Sequence, residues 1–316
     1  MEIKEVASLA GKLRENVKKV IIGKDEVIDK VTLCLFCGGH ILLEDIPGTG
    51  KTTMAKAFAR SIDSDFARVQ FTPDLLPSEL TGINYYNQKE GAFEFKPGSV
   101  FTNILLGDEI NRATPRTQSA LLECMEEGQV SVDGKTYPLE KPFLVIATQN
   151  PVEIQGTFPL PEAQLDRFFM RVNLGYPTPE EEADILERFT GGAHPMEELR
   201  PICSAQDVVD LQEQVSQVYS SKEVRAYISQ IAQASRKNPS LQLGVSTRGA
   251  IFLLRGAQAR ALLQGRDFVA PEDVQKMVLP VLAHRVILSP EARMRGMTAE
   301  RVLSGVIGSV QVPVRR

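Results

Sequence analysis

The sequence predicts an α/β domain, a parallel β-sheet with helices on both faces and two inserted β-hairpins, followed by an all-α domain. Three observations carry this. Short apolar strands alternate with helical stretches through the first half of the chain. A glycine-rich turn, Gly48-Thr49-Gly50, sits between one such strand and a helix. After Tyr176-Pro177-Thr178-Pro179 the strand signals give way to helical periodicity.

The elements follow in order. Ile3, Val6, Ala10, Leu13, Val17 and Val20 recur at helical spacing, so an amphipathic helix is expected over 1–20. A second apolar helix is expected over 26–37, ended by Gly38-Gly39, with a short buried strand at His40-Ile41-Leu42-Leu43. A helix over 52–61 follows, then strands at 66–71 and 104–106, a helix over 117–127 and a strand at 143–148. Apolar strands separated by helices require a sheet covered on both faces. Two hairpins interrupt the alternation. One pairs Ala92-Phe93-Glu94-Phe95-Lys96 with Asn84-Tyr85-Tyr86, where alternating aromatics read as sheet core; the other spans 129–138 and turns at Asp133-Gly134, a strong hairpin dipeptide.

From Pro177 onward, helices are expected over 180–189, 205–218, 222–235, 247–263, 271–283 and 299–309, the first capped by Thr178 and favoured by Glu180, Glu181 and Glu182 in its first turn. The domain boundary is placed near Gly175, giving an α/β domain over 1–175 and a helical domain over 176–316.

Composition narrows the function. With 316 residues, 43% hydrophobic and 24% charged, each domain can bury a core. A net charge of −4 gives no global attraction to nucleic acid or to an anionic membrane. Residues 1–19 lack the apolar centre of a secretory signal. The longest nearly apolar run, 31–43, is shorter than the roughly 18 residues a spanning helix needs. A cytoplasmic protein without a membrane span is expected. Cys34 and Cys37 form a C-x-x-C inside an apolar run with no second Cys or His pair at zinc spacing, so they read as core. His40, His194 and His284 do not cluster and receive no role.

The sharpest signal is Pro47-Gly48-Thr49-Gly50-Lys51-Thr52-Thr53 between a strand and a helix, the context a phosphate-binding P-loop requires. Backbone N–H groups of Gly48, Thr49, Gly50, Lys51, Thr52 and Thr53 can surround phosphates at the helix N-terminus. Lys51 would reach the β- and γ-phosphates, and the Thr52 hydroxyl would ligate Mg²⁺. Asp45 replaces the motif's first glycine, so its carboxylate must point away from the nucleotide. The strand Ile104-Leu105-Leu106 ends in Asp108, placed to hold the Mg²⁺ shell, and Glu109, placed to activate a water. Asn150, at the tip of the 143–148 strand, could orient that water. Arg167 and Arg248 suit a developing phosphate charge, although each could equally form a surface ion pair.

These segments, with Asp108-Glu109-Ile110-Asn111-Arg112-Ala113, Thr117-Gln118-Ser119-Ala120-Leu121-Leu122-Glu123, Ala147-Thr148-Gln149-Asn150-Pro151 and Phe158-Pro159-Leu160-Pro161-Glu162-Ala163-Gln164-Leu165-Asp166-Arg167-Phe168, resemble the MoxR family of AAA+ ATPases over most of the chain. The resemblance implies a P-loop AAA+ domain followed by a helical lid, with ATP and Mg²⁺ as ligands. Lys51 and Thr52 match its Walker A pair, Asp108 and Glu109 its Walker B pair, Asn150 its sensor 1 and Arg248 its sensor 2. Arg167, ahead of Arg112 and Arg116, resembles the arginine finger that reaches the neighbouring subunit's nucleotide, and Ile22-Gly23 sits where the family contacts adenine. The hairpins resemble the helix-2 insert and the pre-sensor-1 hairpin. The family implies a homo-oligomer, commonly a hexameric ring, that remodels or activates a protein partner, often one with a von Willebrand factor A domain. Two other readings stay open: a nucleic-acid-associated motor, for which the hairpin tips offer little basic charge, and a nucleotide-gated scaffold, against which Glu109 and Asn150 stand.

Overall fold

The computed structural model describes residues 3–44, 48–150, 156–190 and 195–313. Asp45, Pro47, Pro151 and His194 of the sequence reading lie outside the described residues. Helices α1 (Ile3–Lys18) and α2 (Asp25–Phe36) lead into strand β1 (Ile41–Glu44) and helix α3 (Lys51–Ser61). Then come β2 (Phe66–Gln70), a short α4 (Pro77–Thr81), the hairpin β3 (Ile83–Asn87) and β4 (Ala92–Lys96), and β5 (Ile104–Asp108). Helix α5 (Pro115–Glu127), the hairpin β6 (Gln129–Val132) and β7 (Lys135–Pro138), strand β8 (Leu144–Gln149), a short α6 (Glu162–Leu165) and β9 (Met170–Val172) complete the first half.

The central strands lie in the order β2-β5-β8-β1-β9, every neighbouring pair parallel. All carboxyl ends therefore share one edge. Side chains alternate across the pleat. Leu42, Leu105 and Val145 face a core with α4 and α5, whereas Ile41, Leu43, Ile104, Leu106, Leu144 and Ile146 face a core shared with α1, α2, α3 and the C-terminal helices. Burial on both faces is why these strands read as continuous apolar runs. The edge strand β9 was not expected from sequence: three residues make it a strand only because Met170 to Val172 pair with Ile41 to Leu43.

The Asp133-Gly134 turn forms as expected, with positive φ at both residues (50° and 77°). The aromatics of the first hairpin depart from the expectation. Phe95 stacks on Tyr137 of the second hairpin at 3.9 Å between centroids, and Asn84 Nδ2 donates to Asp133 Oδ2 at 2.7 Å, so the hairpins brace each other. Tyr86 and Phe93 are instead an exposed edge-on pair, Phe93 being 74% accessible, because among the described residues no second layer covers that face of a two-stranded ribbon.

The second half holds α7 (Pro179–Thr190), α8 (Ala205–Gln217), α9 (Lys222–Lys237), α10 (Thr247–Leu263), α11 (Pro271–Leu282), α12 (Pro290–Met294) and α13 (Ala299–Ser309). Thr178 caps α7 as expected: its Oγ1 accepts from Glu181 N, and Glu181 Oε2 accepts from Thr178 N. This half is helical apart from a short ribbon of β10 (Leu241–Leu243) and β11 (Ile287–Leu288). No helix among the described residues is long and apolar enough to cross a membrane. Cys34 and Cys37 are free and buried, and burial pushes both thiols up, in keeping with core cysteines.

His40, just before β1, is a buried fastener. Val145 N donates to its Nδ1 at 3.0 Å, which leaves the proton on Nε2 to donate to Met125 O at 2.9 Å. Both nitrogens are thus committed to the neutral ring, and burial pulls its pKa down to about 4. The unfolded chain takes this proton near its ordinary value of 6.5, the folded chain only near 4. The stabilisation from neutral His40 is therefore complete above pH 6.5 and lost as the pH falls toward 4, by about 3 kcal/mol. Denaturant unfolding between pH 7 and 4 is expected to show this loss, and His40→Gln is expected to flatten it.

Candidate functional site

The candidate phosphate loop lies between β1, at the carboxyl edge, and α3. Gly48 and Gly50 adopt left-handed φ (87° and 88°), a conformation that costs other residues free energy. Gly50 is also the N-cap of α3, and no side chain caps that helix. The first amides of this eleven-residue helix carry its positive dipole end. This is the donor set an oligophosphate needs. Lys51, Thr52 and Thr53 form the first turn.

Two strands away in the same edge, β5 ends in Asp108. Asp108 is 6% exposed and its carboxylate is held on both oxygens, Arg68 Nε donating to Oδ2 at 2.7 Å and Thr148 Oγ1 donating to Oδ1 at 3.2 Å. Glu109 follows with φ 56° and ψ 50°, a left-handed backbone in a non-glycine residue. Strain of this kind costs about 1–3 kcal/mol and persists where neighbours enforce it. Here Glu109 N donates to Thr148 Oγ1 at 2.9 Å, so one buried hydroxyl on β8 fixes both acids. The Glu109 carboxylate receives Gln70 Nε2 at 2.8 Å, and Arg112 Nη1 lies 3.3 Å away. Asn150 follows the end of β8, so it belongs to the same edge as Asp108 and Glu109.

Oxygen donors of this kind fit Mg²⁺, a hard cation. The Asp108 carboxylate and the Thr52 hydroxyl would hold it beside the phosphates. Each Asp108 oxygen, although engaged, retains a second lone pair. No cluster of three or more His, Cys, Asp or Glu side chains suited to a metal occurs among the described residues. Ile22 and Gly23, the adenine candidates, lie in the α1–α2 connection. The Glu181 side chain of α7 covers Gly23 so closely that a Cβ there would meet its Cδ at 2.0 Å. That candidate thus sits between the first domain and the helical one.

The two arginines lie elsewhere. Arg167 Nε is 2.8 Å from Glu126 Oε2, and Arg248 Nη2 pairs with the other oxygen of the same carboxylate. Glu126 lies in the last turn of α5 beside Met125, whose carbonyl meets His40, and Phe169 N donates to His40 O at 2.7 Å. Since His40 immediately precedes β1, this cluster occupies the amino edge of the sheet. The four residues of β1 separate it from the chain's own phosphate loop, about 13 Å of strand. Arg112, a rival finger candidate, is engaged with its own chain's Glu109, and Arg116 is exposed on the first turn of α5.

Sequence reasoning missed several of these parts. Arg68 and Gln70 carry no motif, and Thr148, although within a resembling segment, was given no role, because their roles depend on strands that become neighbours only in the sheet. Asp166 and Arg285 were also missed. Buried Arg285 pairs through Nε with Asp166 Oδ1 at 3.0 Å and donates to the carbonyls of Asp166 (3.1 Å) and Phe169 (3.2 Å). Burial pulls its guanidinium down to about 10, with Asp166 opposing the shift, so it stays charged at neutral pH.

Comparison with known proteins follows the same division. Residues 40–170 match the model of the ATPase family associated with various cellular activities (AAA), and 233–306 match the AAA lid domain. Chaperone MoxR1 of Mycobacterium tuberculosis is 40% identical over 306 residues, covering 94% of this chain and 80% of that one. The uncharacterized protein YeaC of Bacillus subtilis is 50% identical over 308 residues, covering 98% and 96%. A crystal structure of a Cytophaga hutchinsonii protein assigned as an ATPase superposes with a TM-score of 0.91 at 40% identity, covering 99% of this chain and 97% of that one.

Proposed function

Because the chain belongs to the MoxR family of AAA+ ATPases, we propose that it hydrolyses ATP at the interfaces of a homo-oligomeric ring, most simply a hexamer, and uses the turnover to remodel or activate a protein partner. The observation that carries this reading is the separation of the site's parts. Lys51, Thr52, Asp108, Glu109 and Asn150 belong to the carboxyl edge of the sheet, while Arg167 and Arg248 sit together at the amino edge. Arginines that cannot reach their own nucleotide can reach one bound by an adjacent copy.

In this assignment the α3 amides and Lys51 bind the phosphates, Ile22-Gly23 contacts the adenine, and Thr52 and Asp108 hold Mg²⁺, which supplies charge neutralisation at the phosphates. Glu109 accepts the proton of the attacking water, and Asn150 orients that water. The Gln70 and Arg112 contacts hold the Glu109 carboxylate in place before nucleotide arrives. Arg167 and Arg248 stabilise charge developing on the neighbour's nucleotide. The exposed Tyr86–Phe93 pair offers an apolar contact to a polypeptide, in keeping with the partner class the resemblance implies, a protein with a von Willebrand factor A domain. The hairpin tips pair Lys89 with Glu90 and Asp133 with Lys135, which favours a protein over nucleic acid.

The test is Mg²⁺-dependent ATP turnover per subunit against protein concentration. Turnover per subunit is expected to rise steeply as the ring assembles and then plateau. A rate independent of concentration down to the fully dissociated subunit would sink the shared-interface mechanism.

A further inference from the structure

Two pieces of the chain far apart in sequence meet at the amino edge of the sheet. Arg167 comes from the turn before β9, in the first domain, and Arg248 from the first turn of α10, in the second. Two guanidinium groups at one place repel, and in isolation each long side chain samples many rotamers. Glu126 answers both costs. One carboxylate oxygen takes Arg167 and the other takes Arg248, so the trio carries one net positive charge in a fixed arrangement.

Glu126 Oε2 lies 2.8 Å from Arg167 Nε as an ion pair, although the buried Nε makes no hydrogen bond, and about a third of the Arg167 side chain stays accessible to a second anion. The backbone beneath is equally tied. Ser246 Oγ, which caps α10 by accepting from Gly249 N, donates to the Asp166 carboxylate at 2.9 Å, and Arg285 pairs with the same group. The residue next to Arg167 is thus bonded to a residue two before Arg248, and Glu126 repeats that link at the side-chain tips. Glu126 is itself about one-third exposed, so the cluster faces outward rather than into the core.

We propose that Glu126 is a positioning residue that pre-assembles Arg167 and Arg248 into a single anion-binding unit, presented to the nucleotide of the adjacent subunit. The proposal rests on the ring reading above. Glu126 touches neither nucleotide nor water; it fixes the spacing of the two arginines and makes the first domain and the lid present them together.

The experiment compares Glu126→Gln with Arg167→Ala, each alone and each mixed with Glu109→Gln subunits. Glutamine keeps the size of the side chain and removes the charge that binds two cations. At saturating protein, Glu126→Gln is expected to lower kcat about tenfold to a hundredfold, the scale on which misplacing a catalytic group acts. KM for ATP should stay unchanged, because the variant's own phosphate loop is intact. Mixing with Glu109→Gln should restore turnover, since those subunits are hydrolytically dead yet supply an intact arginine unit to their neighbours. Sedimentation should show normal assembly. Wild-type kcat in Glu126→Gln, beside a deep loss in Arg167→Ala, would overturn the proposal and leave the ring reading standing. A rise in kcat would make Glu126 a competitor of phosphate, failure of mixing would place its action in its own subunit, and loss of assembly would make it a packing contact; each also overturns it. Full turnover in Arg167→Ala would remove the ring reading and this proposal with it.

Discussion

Arg167→Ala is expected to lower ATP turnover of the assembled protein by about 10³ to 10⁵, the range an arginine finger supplies in phosphoryl transfer. The physical reason is electrostatic. Charge gathers on the phosphate oxygens as the bond breaks, and a guanidinium already in place stabilises that charge without reorganisation at the moment of reaction. The loss should fall on kcat. ATP binding to the variant's own loop should be retained, because Arg167 lies at the opposite edge of the sheet from Lys51. Stability should change little: the Arg167–Glu126 pair is partly exposed, with about one-third of each side chain accessible, and such pairs contribute at most about 1 kcal/mol. Lysine should not rescue the variant, since a single ammonium cannot pair with Glu126 and present a planar fork to a second anion at once. The decisive measurement is phosphate release at saturating ATP and protein, beside the melting temperature. Turnover within a factor of a few of wild type would remove Arg167 from the mechanism.

Glu109→Gln is expected to retain ATP binding and lose turnover by about 10² to 10⁴, the contribution of a positioned general base. Glutamine is nearly isosteric and can still accept the hydrogen bond that Gln70 Nε2 makes to the carboxylate. The left-handed backbone is held by Thr148 through the amide of residue 109, which the substitution does not alter. What disappears is the ability to take a proton from water. The variant should therefore trap ATP, and fluorescent-nucleotide binding beside single-turnover hydrolysis separates the two effects. Hydrolysis at the wild-type rate would mean that another group is the base. If turnover drives release of the partner, the trapped form should also retain that partner longer than the wild type does.

Much of this molecule was legible in one dimension. The strands expected at 40–43, 104–106 and 143–148, separated by helical periodicity, pointed to a sheet covered on both faces, and β1, β5 and β8 form one. The Asp133-Gly134 turn and the Thr178 cap depend on contacts within a few residues, so local chemistry sufficed to predict them. The candidate nucleotide-binding residues were equally visible, because a phosphate loop is a local device: glycines, a lysine and a hydroxyl in one turn.

The partners that complete the site were not legible. Gln70 meets Glu109, and Arg68 meets Asp108, only because β2 lies beside β5, and Thr148 reaches both acids only because β8 lies on the other side. Strand β9 is too short to signal itself and exists by pairing with β1. The exposure of Tyr86 and Phe93 was misread for a related reason, since alternation shows that a strand has two faces but not whether anything covers the second. The sequence by itself determined the fold class and named the candidate nucleotide-binding residues, since periodicity and motif chemistry act over a few residues. Only the tertiary structure decided that Arg167, Arg248 and Glu126 meet, 122 positions separating Arg248 from Glu126, and that they meet at the edge away from their own phosphate loop. Such contacts follow from strand order and domain packing, which no local pattern encodes.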